Sequence, residues 1–167
     1  MTGSCRRYCA AAVAALLLGG CASQPLPPAE QPESYQFGRE TSARVGDQVA
    51  RTATALVGSP YRYGARGPDS FDCSGLVHYA YASAGFQVPR TSAQQYRAAR
   101  PVGLADARAG DLLFSSYEDK VSHVGIYLGN QRFVHAPSTG KHVNVASLES
   151  AHYQRHFVRA GRLPLSQ

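Results

Sequence analysis

Phe71-Asp72-Cys73-Ser74-Gly75-Leu76-Val77 is the stretch on which the reading of the fold turns. Before it, Ser59-Pro60-Tyr61-Arg62-Tyr63-Gly64 and the Gly and Pro residues that follow read as loop. After it, an apolar, helix-compatible run ends at Gly85. The boundary puts the Cys73 thiol in the first turn of a helix, where free backbone N–H groups and the macrodipole favour an anion and are expected to depress the thiol pKa. Fifty residues on, Ser122-His123-Val124-Gly125-Ile126-Tyr127 alternates with period two, and Phe133-Val134-His135-Ala136 brings a second histidine twelve positions after His123. A cysteine on a helix start facing a histidine on a strand is the constellation that nucleophilic attack on a carbonyl requires.

Side-chain parity says how the two histidines meet. Val124, Ile126 and Leu128 alternate with His123, Gly125 and Tyr127, and Val134 and Ala136 alternate with Phe133 and His135. A three-residue hairpin loop at Gly129-Asn130-Gln131 would set Leu128 opposite Arg132 and Gly125 opposite His135. His123 and His135 then become diagonal neighbours on one face, with no side chain at Gly125 to crowd them, and the aliphatic residues face helices. One imidazole nitrogen of His123 is then free for Cys73 while the other is held by His135. His142, also near a strand, is the other candidate orienter. His78, His152 and His156 read as surface or helix-face residues.

The rest of the chain fills in around this centre. A helix is expected from about Ser42 to Val57, with Val45, Val49, Ala53 and Leu56 at helical spacing and Gly58 as a stop. Pro89-Arg90-Thr91-Ser92 caps a third short helix running to about Ala99. Strands are expected at 111–115, 122–128, 132–136, 142–146 and 156–162, with a short helix near 148–154. Helices first and antiparallel strands afterwards is an α+β order, with N-terminal helices packed on a sheet of about five strands.

The front of the chain speaks of place. Arg6 and Arg7 precede the nine-residue apolar run Ala10–Leu18, too short to span a bilayer but suited to a secretory signal. Leu18-Gly19-Gly20-Cys21 resembles a bacterial lipobox, which implies cleavage before Cys21 and lipid on it. Residues 1–20 are thus expected to be a lipoprotein signal peptide, 21–40 a lipidated Pro-rich tether, and 41–167 the folded domain. Cys5 and Cys9 would leave with the signal and Cys21 would carry lipid, so Cys73 would be the sole thiol of the mature chain. Removing residues 1–20 from 167 leaves 147, one domain's worth, and lowers the formal charge from +6 to about +4. No long basic run or phosphate loop suggests nucleic acid or nucleotide.

Six ordered blocks resemble the NlpC family of papain-like cell-wall cysteine endopeptidases. They are Tyr61-Arg62-Tyr63-Gly64, Phe71 to Gly75, Pro89 to Ser92 with Gln95, Gly110-Asp111-Leu112-Leu113-Phe114, His123 to Gly129, and Phe133 to Ala136, within about residues 45–163. The resemblance implies cleavage of a peptide or isopeptide bond in peptidoglycan peptides, with Cys73 as nucleophile, His123 as base and acid, and His135 as its orienter. It implies that Tyr61 lines the site and helps hold the oxyanion, and that Asp72 and Ser74 bind the free amine and backbone of the residue before the scissile bond. Asp72 also reads as a helix cap. Ala65 departs from the family pattern, which has a second Gly after Gly64, and is expected to alter that loop. A D-Ala–diaminopimelate cross-link is the expected target; a γ-D-glutamyl–diaminopimelate bond and a non-catalytic wall-binding role are the alternatives. No cofactor is implied. No closely spaced Cys/His ligand pairs announce a metal. The expected setting is a monomer held by Cys21 lipid on the periplasmic side of an outer membrane, if the cell has two membranes.

Overall fold

A computed structural model describes residues 33–117 and 120–165 of the chain. Three helices come first: α1 (Glu33–Ala55), α2 (Cys73–Ser83) and α3 (Ser92–Ala98). The strands β1 (Arg100–Val102), β2 (Leu112–Tyr117), β3 (Lys120–Gly129), β4 (Arg132–His135), β5 (Asn144–Ser147) and β6 (Phe157–Arg162) follow, with α4 (Ala151–His156) before β6. They form one six-stranded antiparallel sheet in the order β1-β6-β2-β3-β4-β5. The expected signal peptide, Cys21 and most of the tether lie outside the described residues. The α+β order holds, with one more strand than expected. β1 escapes period-two reading because it is three residues long with Pro101 at its centre, which an edge strand tolerates. α1 begins nine residues earlier than the expected Ser42, at Glu33, inside the stretch expected to be extended tether. Among the described residues no helix is long and apolar enough to cross a membrane.

The sheet separates two apolar layers. Val124, Ile126, Val134 and Ala136 face the helices and pack with Val49, Ala53, Leu76, Val77 and Ala80. Burial of each large aliphatic there stabilises the fold by about 1.5–3 kcal/mol relative to exposure. On the opposite face Leu113, Tyr127, Phe133, Leu148 and Ala160 form a smaller layer. α2 is therefore pressed on β3, and that contact carries the thiol to the strand of the first histidine.

The β3–β4 hairpin sets the second histidine. Ile126 pairs with Val134 and Tyr127 with Phe133, the register that parity requires. The loop itself is shorter than expected. Gly129 pairs with Arg132, so Asn130 and Gln131 alone form the turn, both at positive φ (49° and 59°), and a bulge between Tyr127 and Gly129 absorbs the difference. The bulge lies at the turn end, so it leaves the histidine end of the hairpin in register.

Candidate active site

The loop before α2 and the first turn of α2 are locked together. Asp72 is the N-cap, and its Oδ1 accepts the Gly75 N–H at 2.6 Å. Its Oδ2 accepts the Gly64 N–H at 3.0 Å, and Arg90 bridges both oxygens at 3.0 and 2.7 Å. Arg90 also donates to Ser74 Oγ at 3.0 Å and to the Ala65 carbonyl at 3.3 Å. Gly75 is required because a Cβ there would overlap that same carbonyl. Burial alone would raise the Asp72 carboxyl pKa, but the Arg90 guanidinium and the Gly75 and Gly64 N–H groups outweigh it and hold the pKa below the usual value. Ala65 causes no strain, since the positive φ in this loop falls on Gly64 and Gly67.

Asp72 and Ser74 therefore sit in a closed network centred on Arg90, whose place in Pro89-Arg90-Thr91-Ser92 gives no local sign of that role. Gln95 gives no local sign of its role either. It is fully buried and donates through Nε2 to the Ser74 carbonyl at 3.1 Å and to the Pro89 carbonyl at 2.8 Å, tying α3 to the first turn of α2. Arg90→Met should lower stability by about 2 kcal/mol, because it strands a largely buried carboxylate. Adding Asp72→Asn should recover part of that loss, since an amide oxygen still caps the helix without a charge. Urea unfolding of the two single variants and the double variant checks this; strict additivity would contradict it.

Cys73 is the first residue of α2, partly buried, and meets β3 where that strand runs on beyond its pairing with β4. Its Sγ lies 3.9 Å from the Ser122 carbonyl, and the Val124 N–H is directed at it, so the thiol touches the backbone on both sides of His123. The expected drop in thiol pKa is reversed. Burial, followed by the Asp72 charge, pushes it above the ordinary value, and the Val124, Ser74 and Cys73 N–H groups offset this only in part. The N–H groups of the first turn do favour the anion at Cys73, but desolvation and the adjacent carboxylate outweigh them.

His123 Nε2 and His135 Nδ1 are 2.7 Å apart, both rings buried and nearly perpendicular. The two histidines share a face as parity requires, and Gly125 leaves them room: a Cβ there would press on the Phe133 ring at 2.6 Å and on His135 Cβ at 3.3 Å. Burial holds both imidazole pKa values well below the usual value. For His123 the neighbouring His135 adds to the effect; for His135, Lys141 and His152 do. His142 is exposed and bridges Pro60, so it does not orient His123.

Tyr61 lies within electrostatic reach of Cys73. Its phenol pKa is raised first by burial and then by the charge a Cys73 thiolate would carry. Beside the histidine pair opens a cleft of about 360 Å³ lined by residues including Tyr117, Ser138, Lys141, His152 and Tyr153. His152, expected to be a plain helix-face residue, lines it and meets the Tyr117 hydroxyl at 3.2 Å. Tyr117 and Tyr153 carried no motif signal; only the fold brings them to the histidines.

Helices followed by an antiparallel sheet, with a thiol at one helix start against a histidine-bearing strand, define a papain-like domain of NlpC type. The NlpC/P60 family model matches residues 58–162, and the chain belongs to that family. It is 40% identical over 113 residues to the murein DD-endopeptidase MepH of Escherichia coli K12, covering 64% of this chain and 42% of the relative. It is 33% identical over 119 residues to a gamma-D-glutamyl-L-lysine dipeptidyl-peptidase of Bacillus subtilis 168, covering 70% and 40%. The crystal structure of the peptidoglycan hydrolase RipB from Mycobacterium tuberculosis superposes with a TM-score of 0.64 at 30% identity, over 82% of this chain and 73% of that one. The chain spans less than half the length of the two curated relatives.

Proposed function

We propose that the protein is a peptidoglycan hydrolase that cuts peptide bonds by thiol chemistry. The observation that carries this is the Cys73 sulfur set against the β3 backbone around His123, with His123 held at 2.7 Å by His135. With the thiol pKa raised and the imidazole pKa lowered, the resting pair is neutral, so His123 acts as a general base during attack. Sγ bonds to the scissile carbonyl carbon as its proton passes to His123, and the carbonyl electrons move onto oxygen. As the tetrahedral intermediate collapses, the C–N bond breaks and His123 returns the proton to the departing amine. Water, deprotonated by His123, then attacks the thioester and frees the thiol. In this reading the α2 N-terminal N–H groups and the Tyr61 hydroxyl stabilise the developing oxyanion. Asp72 and Ser74, braced by Arg90, form the wall that receives the residue before the scissile bond.

The bond is a D-Ala–diaminopimelate cross-link in our reading, which the MepH likeness supports. The Bacillus subtilis likeness supports a γ-D-glutamyl–diaminopimelate bond as the second reading. Mass spectrometry of muropeptides released from purified sacculi decides. Cross-linked dimers resolved to monomers support the first, products cut between glutamate and the diamino acid support the second, and no change in the sacculi defeats both.

We further propose a lipid on Cys21 that keeps the domain on the periplasmic face of an outer membrane. Replacing Cys21 by Ala in a chain with an ordinary cleavable signal should release a soluble protein that still acts on isolated sacculi. Membrane association that persists through a high-salt wash would show that another device anchors it.

A further inference from the structure

The cleft beside the histidine pair has a chemistry of its own. Tyr117, Ser138, Lys141, His152 and Tyr153 line it together with His123 and His135, and no carboxylate among the described residues does. Lys141 is exposed, and the ion pairs among the described residues do not include it. Its charge nevertheless opposes a proton on His135, which places it within electrostatic reach of the pair. An ammonium group with hydroxyl donors around it and no acid to neutralise it suits an anion.

The main chain that presents this ammonium is fixed. The Lys141 N–H donates to the Ser138 carbonyl at 3.1 Å, closing a tight turn with Gly140 at φ 79°, so Ser138 and Lys141 enter the cleft from one turn. The Lys141 carbonyl accepts the Tyr61 N–H at 2.8 Å, and the Val143 N–H donates to the Ser59 carbonyl at 2.8 Å. The turn is thus stitched to the loop that carries Tyr61. Asp72, Ser74 and Arg90, which form the wall for the residue before the scissile bond, take no part in the cleft. His123, which lines it, must return its proton to the departing amine, so the fragment beyond the scissile bond lies on the histidine side.

We propose that Lys141, with Ser138, binds a carboxylate on the leaving side of the scissile bond, and so selects a diamino acid whose departing nitrogen sits on a carboxylate-bearing carbon. In diaminopimelate linked through its side-chain amine, that carbon carries a free carboxylate; in lysine it carries only hydrogen. The proposal deepens the cross-link reading given above and rests on it for the identity of the departing fragment.

Three cross-linked peptide dimers test it, differing only at the carbon that bears the departing nitrogen: the free carboxylate of diaminopimelate, its carboxamide, and the unsubstituted carbon of lysine. The wild type should cut the free acid with kcat/KM about tenfold above the other two, chiefly through KM, the contribution of one charge-assisted contact in an open cleft. Lys141→Met should bring the three to within about twofold of one another, and Lys141→Arg should keep the preference. The contacts that hold the turn are main-chain, so both variants should melt like the wild type. A purely structural role would slow all three dimers equally and preserve their ratio; that result, or equal cleavage of all three by the wild type, would overturn the proposal. Titration calorimetry on folded Cys73→Ser, with and without Lys141→Met, separates the site from the reaction. The probes are the leaving-side stem peptide L-Ala–γ-D-Glu–diaminopimelate–D-Ala and its lysine counterpart. A Lys141-dependent preference for the first, from a wild type that cuts none of the dimers, would defeat the cross-link reading and leave the site standing. No preference in either binding or cleavage would overturn it.

Discussion

Cys73→Ser should yield a protein that melts like the wild type and releases no detectable muropeptides from sacculi. The exchange of sulfur for oxygen at the start of α2 removes little volume, and the cap supplied by Asp72 does not involve the replaced atom. The chemical change is large. A hydroxyl is several pKa units harder to ionise than a thiol, and the site is already hostile to an anion, since burial and Asp72 raise even the thiol. The neutral imidazole of His123, weakened as a base by its own burial, has no compensating strength for a poorer acid. A fall of at least about a thousandfold in kcat/KM is expected, leaving only what binding and the oxyanion contacts supply. Hydrolysis near the wild-type rate by a folded Cys73→Ser protein would end the assignment of Cys73 as nucleophile.

What was legible in the sequence is what short-range periodicity fixes. His123 and His135 could be placed on one face because strand parity is exact, and it survives a turn of different length when the bulge sits at the turn end. The α2 start was legible because Asp72 and the Gly-rich loop mark it within a few residues. What failed depends on contacts between distant segments. Arg90 lies 18 residues from Asp72, and nothing local says that its guanidinium returns to the cap. Tyr153 lies 18 residues from His135, on a helix of six residues whose facing is set only by docking on the sheet. The thiol pKa was misjudged for the same reason. The sequence displays a helix start, but the burial that outweighs it appears only when α2 is pressed on β3.

Replacing His123 and replacing His135 should have unequal effects. His123→Ala removes the group that takes the thiol proton and returns it to the leaving amine, and should cost about a thousandfold or more in kcat. His135→Asn should cost about ten- to a hundredfold, because an amide oxygen can still accept from His123 Nε2 in place of the imidazole. Equal and complete loss in both would contradict that division of roles. The pH profile checks the same chemistry in the wild type. Burial lets His123 lose its proton below the ordinary 6.5, and burial with Asp72 keeps the proton on Cys73 above the ordinary 9.0. Activity should therefore be flat across neutral pH. It should fall on the acid side only below 6.5 as His123 takes up a proton, and on the alkaline side only above 9.0 as the thiol proton needed by the leaving amine is lost. At neutral pH the thiolate absorbance, taken as the difference from Cys73→Ser, should be absent. A full thiolate signal at neutral pH would mean a preformed ion pair, and the general-base role of His123 would have to be given up.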